Sequence, residues 1–269
     1  MNKILFILDY EEEFDWITLD SMILKGILDD NKEKYSYVIL NNDSFFDKSR
    51  KLKKKNDFPN YYQNGIPVGS IEFVNNFINI FKCEFNGEIS IEVPPCLRKY
   101  KYLKRQYKIL PYSDFPLDNK NYFIKDAVGV KNYNNTDEYD DTRIDKNNLF
   151  VLSEKVNILS EYRIYVIRGK IKNICCYKGD PTLFPNLDLV KEMLDIYMKS
   201  PDFPQSISID VLINEFGTSL LEIHSFSSLG LYSTKWDNEL PLAFIDGFNY
   251  LLNINTKQTP FCGFSKELE

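Results

Sequence analysis

The sequence predicts an α+β fold, in which a small α/β unit precedes strands in close succession that read as antiparallel sheet, not a regular βαβ wind. Three observations predict it. Short apolar runs at 4–8 and 35–40 read as buried strands on either side of an amphipathic segment, about 16–28, that reads as a helix. From residue 149 the runs 150–152, 161–167 and 170–178 read as strands, with Arg168-Gly169 as a tight turn. Runs 206–213 and 219–224 read as a further hairpin, between helices expected over 187–198 and 240–252.

The other elements follow local signals. Residues 70–81 have helical spacing, with Ser70 as N-cap, Glu72 in the first turn, and Ile71, Val74, Phe77, Ile78 and Phe81 on one face. A strand is expected over 89–93, before Pro94-Pro95, and another over 122–125, ending in Lys125. Residues 132–148 are polar, acidic and irregular, the pattern of a mobile loop. Two basic stretches, 48–55 and 98–105, admit either a solvated face or a phosphate-facing surface. Helical spacing in the second would align Lys101, Lys104 and Lys108.

Composition excludes several classes. At 269 residues, 43% apolar and 27% charged, the chain is globular and long enough for about two packing units. Its 33 basic and 39 acidic residues, net −6, argue against a general nucleic-acid binder and leave room for a local basic site. A single histidine, His224, excludes a His-rich zinc site, a histidine-based hydrolase triad elsewhere and most two-histidine metal enzymes. Acid, base or metal chemistry must then use carboxylates, lysines and arginines. The five cysteines, Cys83, Cys96, Cys175, Cys176 and Cys262, lack paired CxxC spacing, so they are expected to be reduced and mostly buried. Glu11, Glu12 and Glu13 follow the first apolar run, the wrong flank for a signal peptide, and no apolar stretch nears the ~20 residues that cross a bilayer. A cytoplasmic location without membrane association is expected.

The 206–224 hairpin is the most informative feature. Ile207, Ile209, Val211 and Ile213 alternate with Ser208, Asp210 and Leu212, so Asp210 projects opposite the isoleucines, and Glu222 and His224 share a face on the return strand. A three-residue loop, Glu215-Phe216-Gly217, would pair Asn214 with Thr218 and set Asp210 opposite Glu222 and Ser208 opposite His224. Two opposed carboxylates repel, and a Mg²⁺ ion would supply the missing cation. A different turn would shift the register and separate them, or both acids could be solvated. In the preceding hairpin, the Arg168-Gly169 turn would set Arg163 opposite Ile174 and gather Glu161, Arg163, Lys172 and Lys178 on one face. Gathered cations suit an anion such as a triphosphate; paired with surface acids they carry no function.

Several motifs converge. Lys125 at a strand end, Ser153-Glu154-Lys155-Val156, Ser160-Glu161-Tyr162-Arg163, Tyr177-Lys178-Gly179-Asp180, Asp210 with Glu222-Ile223-His224, and Leu229-Gly230-Leu231-Tyr232 resemble, in order and spacing, the ATP-grasp superfamily. Within it they look like a small bacterial and phage-associated clade, which Gly69-Ser70-Ile71-Glu72 also fits. The resemblance covers about 122–232 and implies two α+β subdomains holding ATP between antiparallel sheets. The division it suggests is an N-terminal α/β unit, 1–85, and an ATP-grasp domain, 86–269, made of a central subdomain, 86–153, and a C-terminal subdomain, 154–269.

By position, the resemblance implies that Lys125 contacts the α/β phosphates, with Lys99 or Lys101 as the second phosphate lysine. Glu154 and Val156 would form the adenine hinge, and Glu161 would bind ribose hydroxyls. Asp210 and Glu222 would hold Mg²⁺ on the phosphates. The usual last ligand is asparagine; here it is His224, which leaves Mg²⁺ fewer protein oxygens, favours Mn²⁺, or sits beside the metal against phosphate. Ser208 stands where better-known members place a catalytic arginine. Arg163 is then the candidate to stabilise the transferred phosphoryl, with Lys178 as a second catalytic candidate. The implied activity is an ATP- and Mg²⁺-dependent ligase that activates a carboxylate as an acylphosphate for attack by an amine or other nucleophile. Its substrates are open, and a peptide or protein is one option. The alternatives are a nucleotide-binding module that has given up ligation, and an RNA- or peptide-interacting protein using the two basic stretches.

Overall fold

Apolar burial organises the chain around three sheets in a computed structural model that describes residues 3–11, 16, 17, 19–82, 93–115, 121–127, 149–233 and 235–256. In the first sheet β1 (Ile4–Glu11) is central, parallel to β3 (Tyr35–Leu40) on one side and β4 (Ile66–Val68) on the other. The segment expected to begin a helix instead starts with a short strand, β2 (Trp16–Ile17), opposite Tyr10 and Glu11 of β1, and α1 (Leu19–Asp30) follows. Two large apolar side chains at 16 and 17 suit a strand, and this ladder claims their backbone first.

Helix α2 (Ile71–Phe81) has the expected bounds, with the Ser70 hydroxyl accepting from the Phe73 N–H at 3.2 Å. Its Phe73, Val74, Phe77, Ile78 and Phe81 are buried. The basic stretch 48–55 lies on irregular, mostly exposed chain, with Arg50 paired to Asp43 at 2.5 Å.

The second sheet has the order β5-β7-β6, from β5 (Tyr107–Pro111), β6 (Tyr122–Asp126) and β7 (Leu149–Glu154), all antiparallel. The expected lysine-bearing helix face does not form. Helix α3 (Tyr100–Leu103) is a single turn closed by Lys104 in the left-handed region, φ 49°, and Lys108 lies on β5. The 107–111 segment is drawn into a ladder with β7, which uses backbone groups a helix would need.

The third sheet has the order β11-β10-β8-β9, from β8 (Ser160–Ile167), β9 (Lys170–Gly179), β10 (Ser206–Asn214) and β11 (Gly217–Ser225). One face carries Tyr162, Ile164, Val166, Ile207, Ile209 and Val211, packed with Val190, Met193 and Leu194 of α4 (Leu187–Tyr197). On the other face Tyr165 and Ile167 join a core with β1, α2, Phe226 and α5 (Leu240–Thr256). Thus α5 ties the third sheet to the N-terminal unit, and Phe248 meets Phe77 edge-on at 6.1 Å.

Both hairpins depart from the expected registers. The β10–β11 turn has two residues, pairing Asn214 with Gly217, whose φ is 86°. A bulge between Asp210 and Val211 takes up Leu221 as an extra residue, so Asp210 still faces Glu222 and Ser208 faces His224. In β8–β9 a bulge between Tyr165 and Val166 places Arg163 opposite Cys175, not Ile174, and a second, between Glu161 and Tyr162, sets Glu161 opposite Lys178. Lys172 falls out of the ladder and pairs with Asp237 at 3.3 Å and with Glu239, away from Glu161 and Arg163.

The segment 132–148, most of 89–93, Cys83 and Cys262 lie outside the described residues. Cys96, Cys175 and Cys176 are unpaired and half-buried, less enclosed than expected. Among the described residues no helix is long and apolar enough to cross a membrane.

The packing of α5 can be tested at Gly247, where an added Cβ would stand 2.0 Å from the carbonyl oxygen of Phe226. Backbone cannot yield as a side-chain tip can, so Gly247→Ala should cost about 1–3 kcal/mol or more in chemical denaturation. An unchanged midpoint would contradict this packing.

Candidate functional site

The polar face of the third sheet becomes a site where the cover of α5 and the N-terminal core ends. Strand alternation sends Ile164 and Ile209 to the α4 side and Arg163 and Asp210 to the opposite side. Asp210 lies between Glu222 on β11 and Arg163 on β8, its direct partners in the two ladders.

Arg163 resolves the repulsion expected of the two acids. Its Nε donates to Asp210 Oδ1 at 2.8 Å and its Nη2 to Oδ2 at 2.7 Å, a bidentate fork around a carboxylate that is 1% exposed. His224 Nε2 lies 3.0 Å from Glu222 Oε1 and 3.7 Å from Asp210 Oδ2. From the facing second sheet, Lys125 Nζ reaches Glu222 Oε2 at 3.2 Å. The site is therefore assembled from two sheets.

Burial would push Asp210 up, but Arg163 and His224 outweigh it and hold the carboxyl below its ordinary range. Burial likewise opposes the charged form of His224, and the carboxylates of Glu222 and Asp210 reverse that and raise it.

The ligating atoms of Asp210, Glu222 and His224 lie within 4.8 Å of one another. Each Asp210 oxygen accepts one Arg163 N–H and retains lone-pair capacity, so the donor set fits a divalent ion. A neighbouring cluster adjoins it. Glu161 accepts from Lys178 Nζ at 2.5 Å and from the Tyr177 hydroxyl at 2.9 Å. Tyr177 stacks on Tyr232 with centroids 5.0 Å apart, and the Arg163 guanidinium lies 5.7 Å and 5.1 Å from the two rings.

The structure brings together Lys125, Glu161, Arg163, Lys178, Asp210, Glu222 and His224. Glu154 ends β7 and accepts from the Gln106 N–H at 3.0 Å, and half-buried Val156 follows it. Lys101 does not join the cluster: α3 lies near α4, so its ammonium pairs with Glu192, which also accepts from the Tyr102 hydroxyl at 2.7 Å. Lys99, at the start of α3, is exposed. Ser208 is fully buried, and its hydroxyl has no partner among the described residues.

Two residues escape the sequence reading. Arg105, the last of its basic run, is buried, donating to Ser153 Oγ at 2.7 Å and to the Leu220 carbonyl at 2.7 Å, so it ties β7 to β11. Burial lowers its pKa to about 10 against the pull of Tyr107 and Glu222. Asp20, in the first turn of α1, accepts from the Leu231 N–H at 2.7 Å. Burial pushes this carboxyl up to about 6, only partly offset by that bond and by Arg163. Neither carries a motif; the signal that finds them is burial of a charge.

Two outcomes follow from these charges. Asp210→Ala strands the Arg163 guanidinium in a buried site and should cost about 3–5 kcal/mol in denaturation, while adding Arg163→Met should recover part of the loss. Additive losses would show that the pair is not coupled. For Asp20, a folded pKa above the unfolded 3.8 means that its contribution to stability is full below that value and is lost as pH rises through about 6. Asp20→Asn should therefore melt progressively higher relative to wild type between about pH 4 and pH 6, then hold a constant difference; a pH-independent difference would contradict the shift.

Comparison with known proteins adds to this geometry. No curated protein matches the chain. Among solved structures it is similar to N5-carboxyaminoimidazole synthetase from Staphylococcus aureus, with a TM-score of 0.54 and 11% identity over 91% of this chain and 78% of that one. It is also similar to D-alanyl-alanine synthetase A from Vibrio cholerae O1 biovar eltor, with a TM-score of 0.51 and 12% identity over 94% of this chain and 100% of that one. At such identity the likeness establishes the fold, mixed α/β with antiparallel sheets. A family model of the ATP-grasp domain, the second family of one clade within the superfamily, matches residues 102–240, more than half of the sequence and all of the elements that build the cluster. The chain belongs to the ATP-grasp superfamily, in that second family of its clade.

Proposed function

We propose that the protein is an ATP- and divalent-metal-dependent ligase that activates a carboxylate as an acylphosphate for attack by an amine or other nucleophile. The observation that carries this reading is the convergence of Lys125, from one sheet, on the Arg163, Asp210, Glu222 and His224 cluster of the facing sheet. Each acid there already has a cation: Asp210 has Arg163, Glu222 has Lys125 and Glu161 has Lys178. A lone divalent ion gains little from acids so neutralised, whereas a polyphosphate arriving with its metal meets both charges it needs.

In this reading residues 1–85 stand before a central subdomain, 86–153, and a C-terminal subdomain, 154–269. Lys125 binds the α/β phosphates, Glu154 and Val156 hold the adenine edge, and Glu161 takes the ribose hydroxyls. Asp210, Glu222 and His224 hold Mg²⁺ or Mn²⁺, which when bound neutralises phosphate charge. The substrate carboxylate oxygen attacks the γ-phosphorus, the β–γ bridging P–O bond breaks, and its electron pair leaves with ADP. The nucleophile then adds at the acyl carbon, phosphate departs with the C–O pair, and the nucleophile loses its proton. Arg163 spends three of its five N–H donors on Asp210 and Gly230, so two remain for the transferred phosphoryl. Lys178 assists beside it. Such chemistry needs positioning and charge neutralisation more than a protein nucleophile.

A second reading, a nucleotide-binding module without ligation, is favoured by the hydrogen bond between His224 Nε2 and Glu222, which must break for that nitrogen to take a metal. Acceptor-dependent ADP formation separates the two.

Calorimetry of ATP with Mg²⁺ or Mn²⁺ should show binding, and its absence with both would overturn the reading. Glu222→Gln should lower metal-dependent ADP formation by at least the roughly tenfold that loss of an outer-shell partner costs a metal site. His224→Asn should preserve or improve Mg²⁺-supported turnover; a collapse would show that the imidazole itself is required.

A further inference from the structure

The peptide between Gly230 and Leu231 is bonded at both ends to charged side chains from distant parts of the chain. Its carbonyl oxygen accepts from Arg163 Nη1 at 3.2 Å and from the Tyr165 hydroxyl at 2.7 Å. Its N–H donates to Asp20 Oδ1 at 2.7 Å. The next N–H, of Tyr232, donates back to the Tyr165 hydroxyl oxygen at 2.8 Å, so the loop is pinned twice. Arg163 in turn forks Asp210. A continuous run of hydrogen bonds therefore joins Asp20 of the N-terminal unit, one peptide plane, Arg163 and Asp210.

A carboxylate at the N–H end of an amide polarises it and makes its carbonyl a stronger acceptor, here for a guanidinium. A helix N-terminus alone would favour an acid at position 20, but an exposed one would serve. Instead the side chain is held to Leu231, where burial opposes its charge. An acceptor oxygen kept on the Leu231 N–H despite that opposition points to a role in holding the 230–232 loop against Arg163 and Tyr165.

We propose that Asp20 is a positioning residue. Through the Gly230–Leu231 peptide it fixes the Arg163 guanidinium, so the two unused donors of Arg163 face the transferred phosphoryl group. The N-terminal unit thereby completes a site whose charged groups belong to the two other sheets. The catalytic part of this inference rests on the ligase reading; the positional part does not.

The test uses the full chain with Asp20→Ala and Asp20→Asn. Arg163 Nε–H, buried against Asp210, should give a nitrogen–proton NMR signal assigned by its loss in Arg163→Lys. Asp20→Ala should shift or broaden that signal, while Asp20→Asn should keep it, because the Asn carbonyl still accepts from Leu231. In turnover, Asp20→Ala should lower kcat for acceptor-dependent ADP formation about tenfold with unchanged calorimetric affinity for ATP, and Asp20→Asn should restore most of it. An unmoved Arg163 signal in Asp20→Ala, equal losses in both variants, or parallel loss of ATP affinity would overturn the proposal. If the wild type binds no ATP, the ligase reading fails, and the NMR comparison still decides whether Asp20 positions Arg163.

Discussion

The buried pair between Arg163 and Asp210 is the interaction on which the site depends. Asp210 and Glu222 are direct neighbours across β10 and β11, and two facing carboxylates cannot both stay charged in a buried sheet without a counter-charge. The guanidinium on the adjoining strand supplies it in a planar fork. Desolvating such a pair is expensive, so its tolerance rests on good geometry and satisfied neighbours. The β8–β10 ladder supplies the geometry, and the Gly230 carbonyl and the Tyr177 and Tyr232 rings complete the surroundings.

Around that pair the fold separates packing from chemistry by alternation along the strands. One face of the third sheet is sealed by α4, and the other is sealed only as far as Tyr165 and Ile167, where α5 and the N-terminal core cover it. Beyond that cover the same face carries Arg163 and Asp210, both buried, and the partly buried Glu222. Arg105 and Lys125 reach across from the second sheet or its approach, one to backbone carbonyls and one to Glu222. The acidic net charge of the chain thus conceals a cluster in which Glu222, Asp210 and Glu161 each carry a cation.

Much of this is legible in the sequence where a local rule governs the outcome. Ser70 with the apolar spacing after it sets the bounds of α2, and alternation in 207–213 puts Asp210 opposite the isoleucines. The opposition of Asp210 and Glu222 is expected through the wrong turn: a two-residue turn and a bulge together restore the register expected of a three-residue loop. A bulge leaves no residue signature here, so Tyr177 arrives beside Glu161 and Asp210 through an irregularity in the ladder that alternation cannot reveal. Strand β5 is hidden within basic residues that read equally well as a helix. Asp20 and Arg105 act through partners more than a hundred residues away, Leu231 and Leu220, and no spacing rule reaches that far.

In the proposed ligase reading a nucleotide lies between the second and third sheets, whose side chains meet where Lys125 reaches Glu222. The most direct measurement is the anomalous signal of Mn²⁺ in crystals grown with a non-hydrolysable ATP analogue. A metal peak held between Asp210 and Glu222, with the polyphosphate against Lys125 and Arg163, is the predicted result. A nucleotide bound elsewhere, or a metal peak away from both carboxylates, would contradict the account.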